Sequence, residues 1–123
     1  LIAVSDFYIG IDLIEVERIK SSIDKIGQRF INKIYSPKEQ VYCSSKSNPY
    51  MHYAGRFAAK EAVMKALMSS GYNKPISFIS IQIESLKSGE PNVIFQNPQK
   101  GICKVSISHT KSHAIASSIY VIE

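Results

Sequence analysis

The sequence predicts an α+β fold in a single domain. After one short strand, helix-type patterns fill the chain up to Gly71, and four segments with strand-type alternation follow from residue 76. Helices first and strands afterwards are typical of α+β domains, in which helices pack on one face of an antiparallel sheet. A chain of 123 residues falls in the usual size range of one domain, so we treat residues 1–123 as a single unit.

The first strand is predicted at residues 7–11, FYIGI, because the most apolar residues of this segment stand at alternate positions. From Ile14 onwards the apolar spacing becomes helical, and Asp12 is therefore expected at the junction between the strand and a helix. A carboxylate just before a helix accepts hydrogen bonds from free N–H groups and faces the positive end of the helix dipole. One interpretation of Asp12 is thus a helix cap.

Two more helices follow. Ser36, Pro37 and Glu39 form the signature of a capping box, which predicts a helix from Pro37. The polar segment 44–49 is a predicted loop, and the clearest helix covers residues 50–71, is rich in Ala, Met, Leu and Lys, and is closed by Gly71. Alternation of apolar and polar residues then predicts strands at 76–85, 92–95, 102–108 and 114–122.

Composition narrows the class of protein. Apolar residues make up 45% of the chain, yet no run approaches the roughly 18 that a membrane-spanning helix needs, so no membrane partner is expected. Cys43 and Cys103 have no metal-ligand spacing and are expected to be free thiols. Lys and Arg exceed Asp and Glu by 15 to 10, and this excess favours an anionic partner such as a nucleotide, a nucleic acid or an acidic protein.

Charged residues on the long helix raise a second question. At about 100° per residue, Glu61 and Lys65 fall on its more apolar side, and Arg56 and Lys60 on its polar side. Glu61 and Lys65 could form an i,i+4 surface ion pair, but a glutamate on an apolar side has to meet a cation, a metal or a cavity. We hypothesise that Asp12 and Glu61 share Mg²⁺, which takes one or two protein carboxylates and completes its octahedron with water and substrate phosphates.

His109, in the segment VSISHT, leaves several interpretations open. It could be a base for Ser108, a metal ligand, a phosphate contact, or a turn residue between two strands. A Ser-His dyad requires the hydroxyl and the imidazole to face each other. Because neighbouring strand residues point to opposite faces, the dyad is the least favoured of these interpretations.

Three segments together carry a family resemblance. IGIDLIEVERI (9–19), RFAAKEAVMKAL (56–67) and VSISHT (105–110), in this order and at these separations, resemble holo-acyl-carrier-protein synthase, the small homotrimeric type of 4'-phosphopantetheinyl transferase. The resemblance covers roughly residues 8–121. It implies the 4'-phosphopantetheinyl transferase fold, assembled as a homotrimer with its active site at the subunit interface.

The implied reaction is Mg²⁺-dependent transfer of 4'-phosphopantetheine from coenzyme A to a serine of apo acyl carrier protein. It releases adenosine 3',5'-bisphosphate and supports fatty acid biosynthesis. Carried over by position, Asp12 and Glu61 match the metal carboxylates of the family, and Lys65 matches a lysine that contacts the pyrophosphate. Glu61 and Lys65 are thus the expected catalytic residues, with Glu61 or a metal-bound water as candidate bases for the serine.

The remaining carried-over residues are binding residues. Arg56 and His109 match residues associated with coenzyme A phosphates, and His109 is expected to reach the site of a neighbouring subunit. Arg18 matches a basic residue that meets the acidic carrier protein. The attacking serine belongs to the carrier protein, so neither Ser108 nor a cysteine of this chain is needed as a nucleophile.

A second hypothesis is a small basic nucleic-acid-binding domain that uses its sheet as a platform. It would require aromatic residues interleaved with Lys and Arg on the strands, and the strands from residue 76 offer only Phe78, Phe95 and Tyr120. For location, we expect the cytoplasm if the source is a bacterium. A plastid-type organelle, an apicoplast or chloroplast, is the alternative if Leu1 marks the removal of a targeting segment.

Overall fold

The computed structural model describes residues 6–122 and confirms the α+β fold. Its helices are α1 (Val16–Ile26), α2 (Gln28–Ile34), α3 (Pro37–Ser44) and α4 (Pro49–Ser69). Its strands are β1 (Asp6–Glu15), β2 (Ile81–Ser85), β3 (Pro91–Phe95), β4 (Ile102–His109) and β5 (His113–Ile122). Helix α4 packs on an antiparallel three-stranded sheet with the order β1-β5-β4, and β2 pairs with β3 in a separate antiparallel sheet. No helix in the described range has the length and apolar character needed to cross a membrane.

The start of α3 and the extent of α4 agree with the sequence, whereas two other boundaries do not. The capping box is present, since Ser36 Oγ accepts from the Glu39 amide and the Glu39 carboxylate accepts from the Ser36 amide. Helix α2 was not predicted; it follows Gly27, whose φ of 75° breaks the helix after α1. The strand predicted from residue 76 begins only at Ile81, because Phe78–Ser80 forms a 3₁₀ turn.

The first strand is longer than predicted, and the predicted position of Asp12 at a strand-to-helix junction is wrong. Strand β1 pairs with β5 along its whole length, from Asp6 opposite Ile122 to Glu15 opposite His113. These interstrand hydrogen bonds keep the backbone extended beyond the point where the apolar spacing becomes helical. Helix α1 is preceded by Glu15, which makes no side-chain cap bond. Asp12 is therefore a mid-strand residue and not a helix cap.

Helix α4 lies unusually close to β1 because of one glycine. A Cβ atom on Gly10 would overlap the carbonyl oxygen of Ala62, and it would stand only 2.8 Å from the amide nitrogen of Ala66. Small residues on both elements thus allow the two backbones to touch. Asp12 lies two residues further along β1 and shares the face of Gly10, so its side chain is directed towards α4.

The opposite face of the three-stranded sheet is apolar and exposed. Ile9, in the middle of β1, is 74% exposed, and most of the large residues around it are aliphatic or aromatic, with Lys104 as the charged exception. A single chain leaves this face in water, which is the usual mark of an interaction surface. We call it the outer sheet face; its large exposed apolar residues are Phe7, Ile9, Ile11, Leu13, Ile102 and Ile115.

A buried ion pair fixes the packing of α4. Lys60, which the sequence placed on the polar side of this helix, is completely buried, and that prediction is wrong. Its ammonium lies 2.7 Å from Glu39 Oε1 and donates to the carbonyl oxygens of Ile34, at 2.6 Å, and Phe78, at 3.1 Å. Burial lowers the pKa of Lys60, and the Glu39 carboxylate opposes this shift.

Both carboxylate oxygens of Glu39 also accept hydrogen bonds. Its Oε1 also accepts from the Ser36 amide and its Oε2 from the Ile83 amide, each at 2.8 Å. One ion pair therefore joins α3, α4, the end of α2, the 3₁₀ turn and strand β2. A pair of this kind is costly to break because the remaining charge stays buried without a partner.

We expect Lys60→Met to destabilise the fold by about 3–5 kcal/mol, since Glu39 would remain buried as an uncompensated charge. Urea unfolding monitored by circular dichroism measures this free energy of unfolding. Lys20→Met is the matched control: it removes an exposed ion pair with Asp24, at 2.8 Å, and should leave the free energy of unfolding nearly unchanged because solvent screens this pair. Equal losses in the two variants would contradict the importance of the buried pair.

Candidate active site

A pocket between β1, α1, α2 and α4 holds both predicted metal carboxylates. It has a volume of about 280 Å³, and its lining includes Asp12, Glu61 and the predicted partner-binding residue Arg18. Phe30 of the unpredicted helix α2 and Phe57 of α4 provide apolar walls. The fold thus brings together three site residues that are far apart in the sequence.

Lys65 contacts the same group of residues from one turn further along α4. Its ammonium lies 3.3 Å from Asp12 Oδ1 and 2.9 Å from the carbonyl oxygen of Ile11. Among residues 6–122, the ion pair that Lys65 makes is this one, and the alternative i,i+4 pair with Glu61 is not formed. The reason is that β1 approaches α4 closely at Gly10 and offers Lys65 a nearer carboxylate.

Of the two carboxylates in this pocket, Asp12 forms an ion pair with Lys65, and Glu61 forms none among residues 6–122. Burial raises the pKa of Glu61, the negative charge of Asp12 raises it further, and Lys65 partly reverses the shift. The ionised pair therefore carries surplus negative charge that a divalent cation would neutralise. Within the described part of the chain, no group of three His, Cys, Asp or Glu residues surrounds a metal position. Two carboxylates alone suit Mg²⁺, which leaves its other positions to water and phosphate.

A second cleft, of about 150 Å³, contains Arg56 and His109. The sequence placed Arg56 on the polar side of α4, but its side chain is only 5% exposed, so that prediction is wrong. The guanidinium lies 3.9 Å above the ring of Tyr42 in α3, and its Nη2 donates to Ser85 Oγ of β2 at 2.6 Å. Packing against α3 and β2 therefore turns this side of α4 inwards.

Arg56 is a buried cation without an anionic partner. None of the ion pairs among residues 6–122 includes it, and its Nε atom has no hydrogen-bond partner there. A buried charge of this kind is normally paired, because leaving water without compensation is costly. The second cleft is consequently suited to an anion.

His109 faces this cleft from the end of β4. It pairs with Ala114 of β5 and is thus a strand residue, so the interpretation as a turn residue is wrong. Its ring lies 5.1 Å from the ring of His52 on α4, whereas Ser108 points to the other face of the sheet. The sequence analysis did not single out His52. The available signal was its position one helical turn before Arg56, which places both side chains on one stripe of α4.

The two clefts lie on different sides of α4. Glu61 follows Arg56 by five residues, which corresponds to a rotation of about 140° around the helix axis. The residues that line one cleft do not line the other. One side of α4 thus meets the two carboxylates, its own Glu61 and Asp12 of β1, and the other side carries Arg56 and His52.

The comparisons with known proteins point to the same family over nearly the whole chain. Residues 8–118 match the 4'-phosphopantetheinyl transferase superfamily. The chain is 41% identical to the holo-[acyl-carrier-protein] synthase of Protochlamydia amoebophila over 120 residues, which cover 91% of this chain and 95% of that protein. It is 45% identical to the enzyme of the same name from Halothermothrix orenii over 116 residues, with coverages of 88% and 91%.

A solved structure shows the same architecture. The crystal structure of a holo-(acyl-carrier-protein) synthase from Bacillus anthracis in complex with CoA (3',5'-ADP) superposes with a TM-score of 0.81 at 34% identity. The superposition covers 94% of this chain and 96% of that one. This chain therefore belongs to the 4'-phosphopantetheinyl transferase superfamily, as a member of its holo-[acyl-carrier-protein] synthase family.

Proposed function

We propose that this chain transfers 4'-phosphopantetheine from coenzyme A to a serine of apo acyl carrier protein, releases adenosine 3',5'-bisphosphate, and depends on Mg²⁺. The observation that carries the proposal is that Asp12 of a strand and Glu61 of a helix line one pocket, and that Lys65 of the same helix forms an ion pair with Asp12. The names of the relatives support the carrier-protein substrate, and the ligand of the Bacillus anthracis structure supports coenzyme A.

Asp12 and Glu61 would hold the metal, and the surplus negative charge of the pair is the physical reason. A bound Mg²⁺ would stabilise the charge that develops on the pyrophosphate when a hydroxyl attacks it. In the free protein Lys65 serves as the cation of Asp12. Its ammonium is half exposed on a flexible stem, so it can turn to the leaving phosphate once Asp12 has another partner. We propose Glu61 and Lys65 as the catalytic residues on this basis.

Arg18 is proposed to bind the carrier protein. It belongs to α1 and lines the pocket of Asp12 and Glu61, so a partner held there would present its serine beside the metal carboxylates. An exposed arginine at this position favours an acidic helix and steers it by charge. Support for fatty acid biosynthesis follows as the proposed role of such a reaction.

We further propose that three chains assemble through the outer sheet face and complete one another's sites. The face is large, apolar and exposed, as expected of an interface that closes by rotational symmetry. A coenzyme that reached both clefts would have to touch two sides of α4, so a site shared between subunits is the simpler arrangement. In it, Arg56 and His109 of one subunit would bind coenzyme A phosphates near Asp12 and Glu61 of the next.

The composition of the outer sheet face argues against the alternative hypothesis of a nucleic-acid-binding domain. The outer sheet face carries mainly aliphatic side chains, with Lys104 in their midst, and lacks the rows of stacked aromatic and basic residues that such a platform needs. The expected location, bacterial cytoplasm or a plastid-type organelle, stays a prediction, and Leu1 lies outside the described residues.

The reaction can be tested by mass spectrometry of apo acyl carrier protein incubated with the protein, coenzyme A and Mg²⁺. We expect the carrier protein to gain the mass of one phosphopantetheine. Glu61→Gln should slow this transfer by more than about 100-fold, because loss of even an outer-shell partner of a metal ligand typically costs 10- to 100-fold. No gain of mass with folded wild-type protein would contradict the proposed function.

The metal assignment has its own readout in the melting temperature of the same variant. In metal-free buffer Glu61→Gln should melt above the wild type at neutral pH, because a carboxyl with a raised pKa holds its proton more tightly in the folded state and its ionisation opposes folding. Adding Mg²⁺ with coenzyme A should raise the melting temperature of the wild type and of Asp24→Asn, an exposed control on α1, more than that of Glu61→Gln, which keeps only the coenzyme A contacts. Equal stabilisation of all three would exclude Glu61 as a ligand.

Charge reversal at Arg18 tests the carrier-protein surface. Arg18→Glu should raise the KM for the carrier protein by roughly fivefold or more, which corresponds to about 1 kcal/mol for an exposed charge pair, and should leave coenzyme A binding unchanged. Steady-state kinetics at low and high salt measure both effects, since an interaction of exposed charges weakens with ionic strength. Lys87→Glu, on the turn before β3, makes the same change of charge elsewhere. A similar KM for both variants would contradict the role of Arg18.

A charge on the outer sheet face tests the assembly. Ile9→Glu should convert the trimer into folded monomers and abolish transfer, because a carboxylate buried in an apolar interface lacks a partner. Light scattering after size-exclusion chromatography gives the mass, and circular dichroism verifies the fold. Val41→Glu is a matched control on α3, where the side chain is 72% exposed and remote from the sheet. A monomeric wild type, or a trimeric Ile9→Glu variant, would refute the proposed assembly.

A further inference from the structure

We infer that His52 is a further phosphate-binding residue, and that its ring takes up a proton when a phosphate group enters the Arg56 cleft. The inference rests on the proposed function, because coenzyme A and adenosine 3',5'-bisphosphate bring the phosphate groups. It adds to the family-derived residues Arg56 and His109 a side chain that no family motif marks in this sequence. Its basis is the arrangement of four side chains around the cleft.

These four side chains, Tyr42, His52, Arg56 and His109, form a continuous row of contacts. The His52 ring makes edge contacts with Tyr42, at 5.8 Å, and with His109, at 5.1 Å, measured between ring centroids. The Arg56 guanidinium lies 3.9 Å above the Tyr42 ring and thus adjoins the same row. All four side chains line the same cleft of about 150 Å³, which is room for about five water molecules at the roughly 30 Å³ each occupies in the liquid. A phosphate group with part of its hydration fits such a space.

The charged side chains that contact the cleft or the Tyr42 ring are basic, and Glu90, a carboxylate that stands between the lining residues Gly89 and Pro91 in the chain, is exposed. Arg56 comes from α4, His109 from β4, and Lys46 follows α3, where its ammonium lies 4.6 Å above the Tyr42 ring. The lining contains no carboxylate among the described residues. An anion therefore finds an Arg56 that has no ion-pair partner among residues 6–122, and two imidazole rings at the same cleft.

Protonation of His52 is unfavourable until an anion arrives. Burial lowers the pKa of His52, and the neighbouring charges of His109, Lys46 and Arg56 lower it further. These effects favour the uncharged ring in the free protein. A bound phosphate reverses the sign of the local field and favours the imidazolium. The affinity that the His52 ring contributes should therefore grow as the pH falls from 8 towards 6, and the ratio of wild-type to His52→Phe affinity at each pH measures it.

A purely structural role can be separated from a binding role. His52→Phe keeps an aromatic ring against Tyr42 and His109 but can neither take up a proton nor donate a hydrogen bond. A structural ring would thus be replaced without loss of phosphate affinity, whereas a titrating ring would not. His113→Phe is the matched control, because His113 is exposed at the start of β5 and bonds to Ser112 Oγ at 2.8 Å, away from the cleft.

The chain has 3 histidines, so their C2–H signals can be followed individually by proton NMR. The titration is run on wild type, His52→Phe and His113→Phe, from pH 5 to 8.5, without ligand and with adenosine 3',5'-bisphosphate; inorganic phosphate is the second probe. We expect ligand to raise the pKa of His52, with the C2–H signals of the other two histidines as internal references. Calorimetry at pH 6 should show roughly tenfold weaker binding to His52→Phe, as for a lost hydrogen bond to a charged group.

Two outcomes would overturn the inference: a His52 titration curve that neither probe changes, or equal affinity and equal proton uptake in wild type and His52→Phe. A different result would contradict the proposed function, so the two proposals can be told apart. An unchanged His52 curve in a protein that still transfers phosphopantetheine removes only the phosphate role of His52. A shifted curve with inorganic phosphate in a protein without transfer activity retains the anion cleft and removes the proposed reaction.

Discussion

The buried ion pair between Lys60 and Glu39 sets the rotation of α4, and both clefts depend on that rotation. Lys60 is held by a carboxylate and two carbonyl oxygens, so the stripe of α4 that carries it must face α3 and β2. His52 and Arg56 precede Lys60 at four-residue intervals and belong to the same stripe. Glu61 is the next residue after Lys60, and the same rotation directs it towards α1 and β1. A rotation that exposed Lys60 would dismantle both clefts.

The two clefts carry unbalanced charges of opposite sign. Asp12 and Glu61 have more negative charge than Lys65 can neutralise, and Arg56 with its neighbouring imidazoles has no carboxylate in the described lining. Each imbalance costs stability in the free protein and is relieved when a ligand of the opposite charge binds. A divalent cation and a phosphorylated coenzyme together supply what each cleft lacks. The destabilising groups are thus the ones suited to binding, as is common at functional sites.

Strand β1 links these clefts to the outer sheet face. Gly10 and Asp12 occupy its inner side, where they meet α4, and Ile9 and Ile11 occupy its outer side, where they remain exposed. Alternation along one strand therefore connects the metal carboxylate with the apolar face that we propose as the subunit interface. A shift of one residue in the register between β1 and β5 would turn the inner residues of β1 outwards and the outer residues inwards. It would thus remove both the carboxylate from the pocket and the apolar residues from the outer sheet face.

The sequence by itself determined the α+β class, the capping box at Ser36, the extent of α4 and the family, because these depend on short-range patterns and on motifs. The wrong predictions from the sequence share one cause. Local periodicity ended β1 too early and assigned Lys60 and Arg56 to water, whereas pairing with β5 and a partner from α3 decided otherwise. Only the tertiary structure brought Asp12 to Glu61 and Lys65, and His52 to His109 and Arg56. Contacts between distant segments arise from packing, and packing is not encoded in the spacing of any one segment.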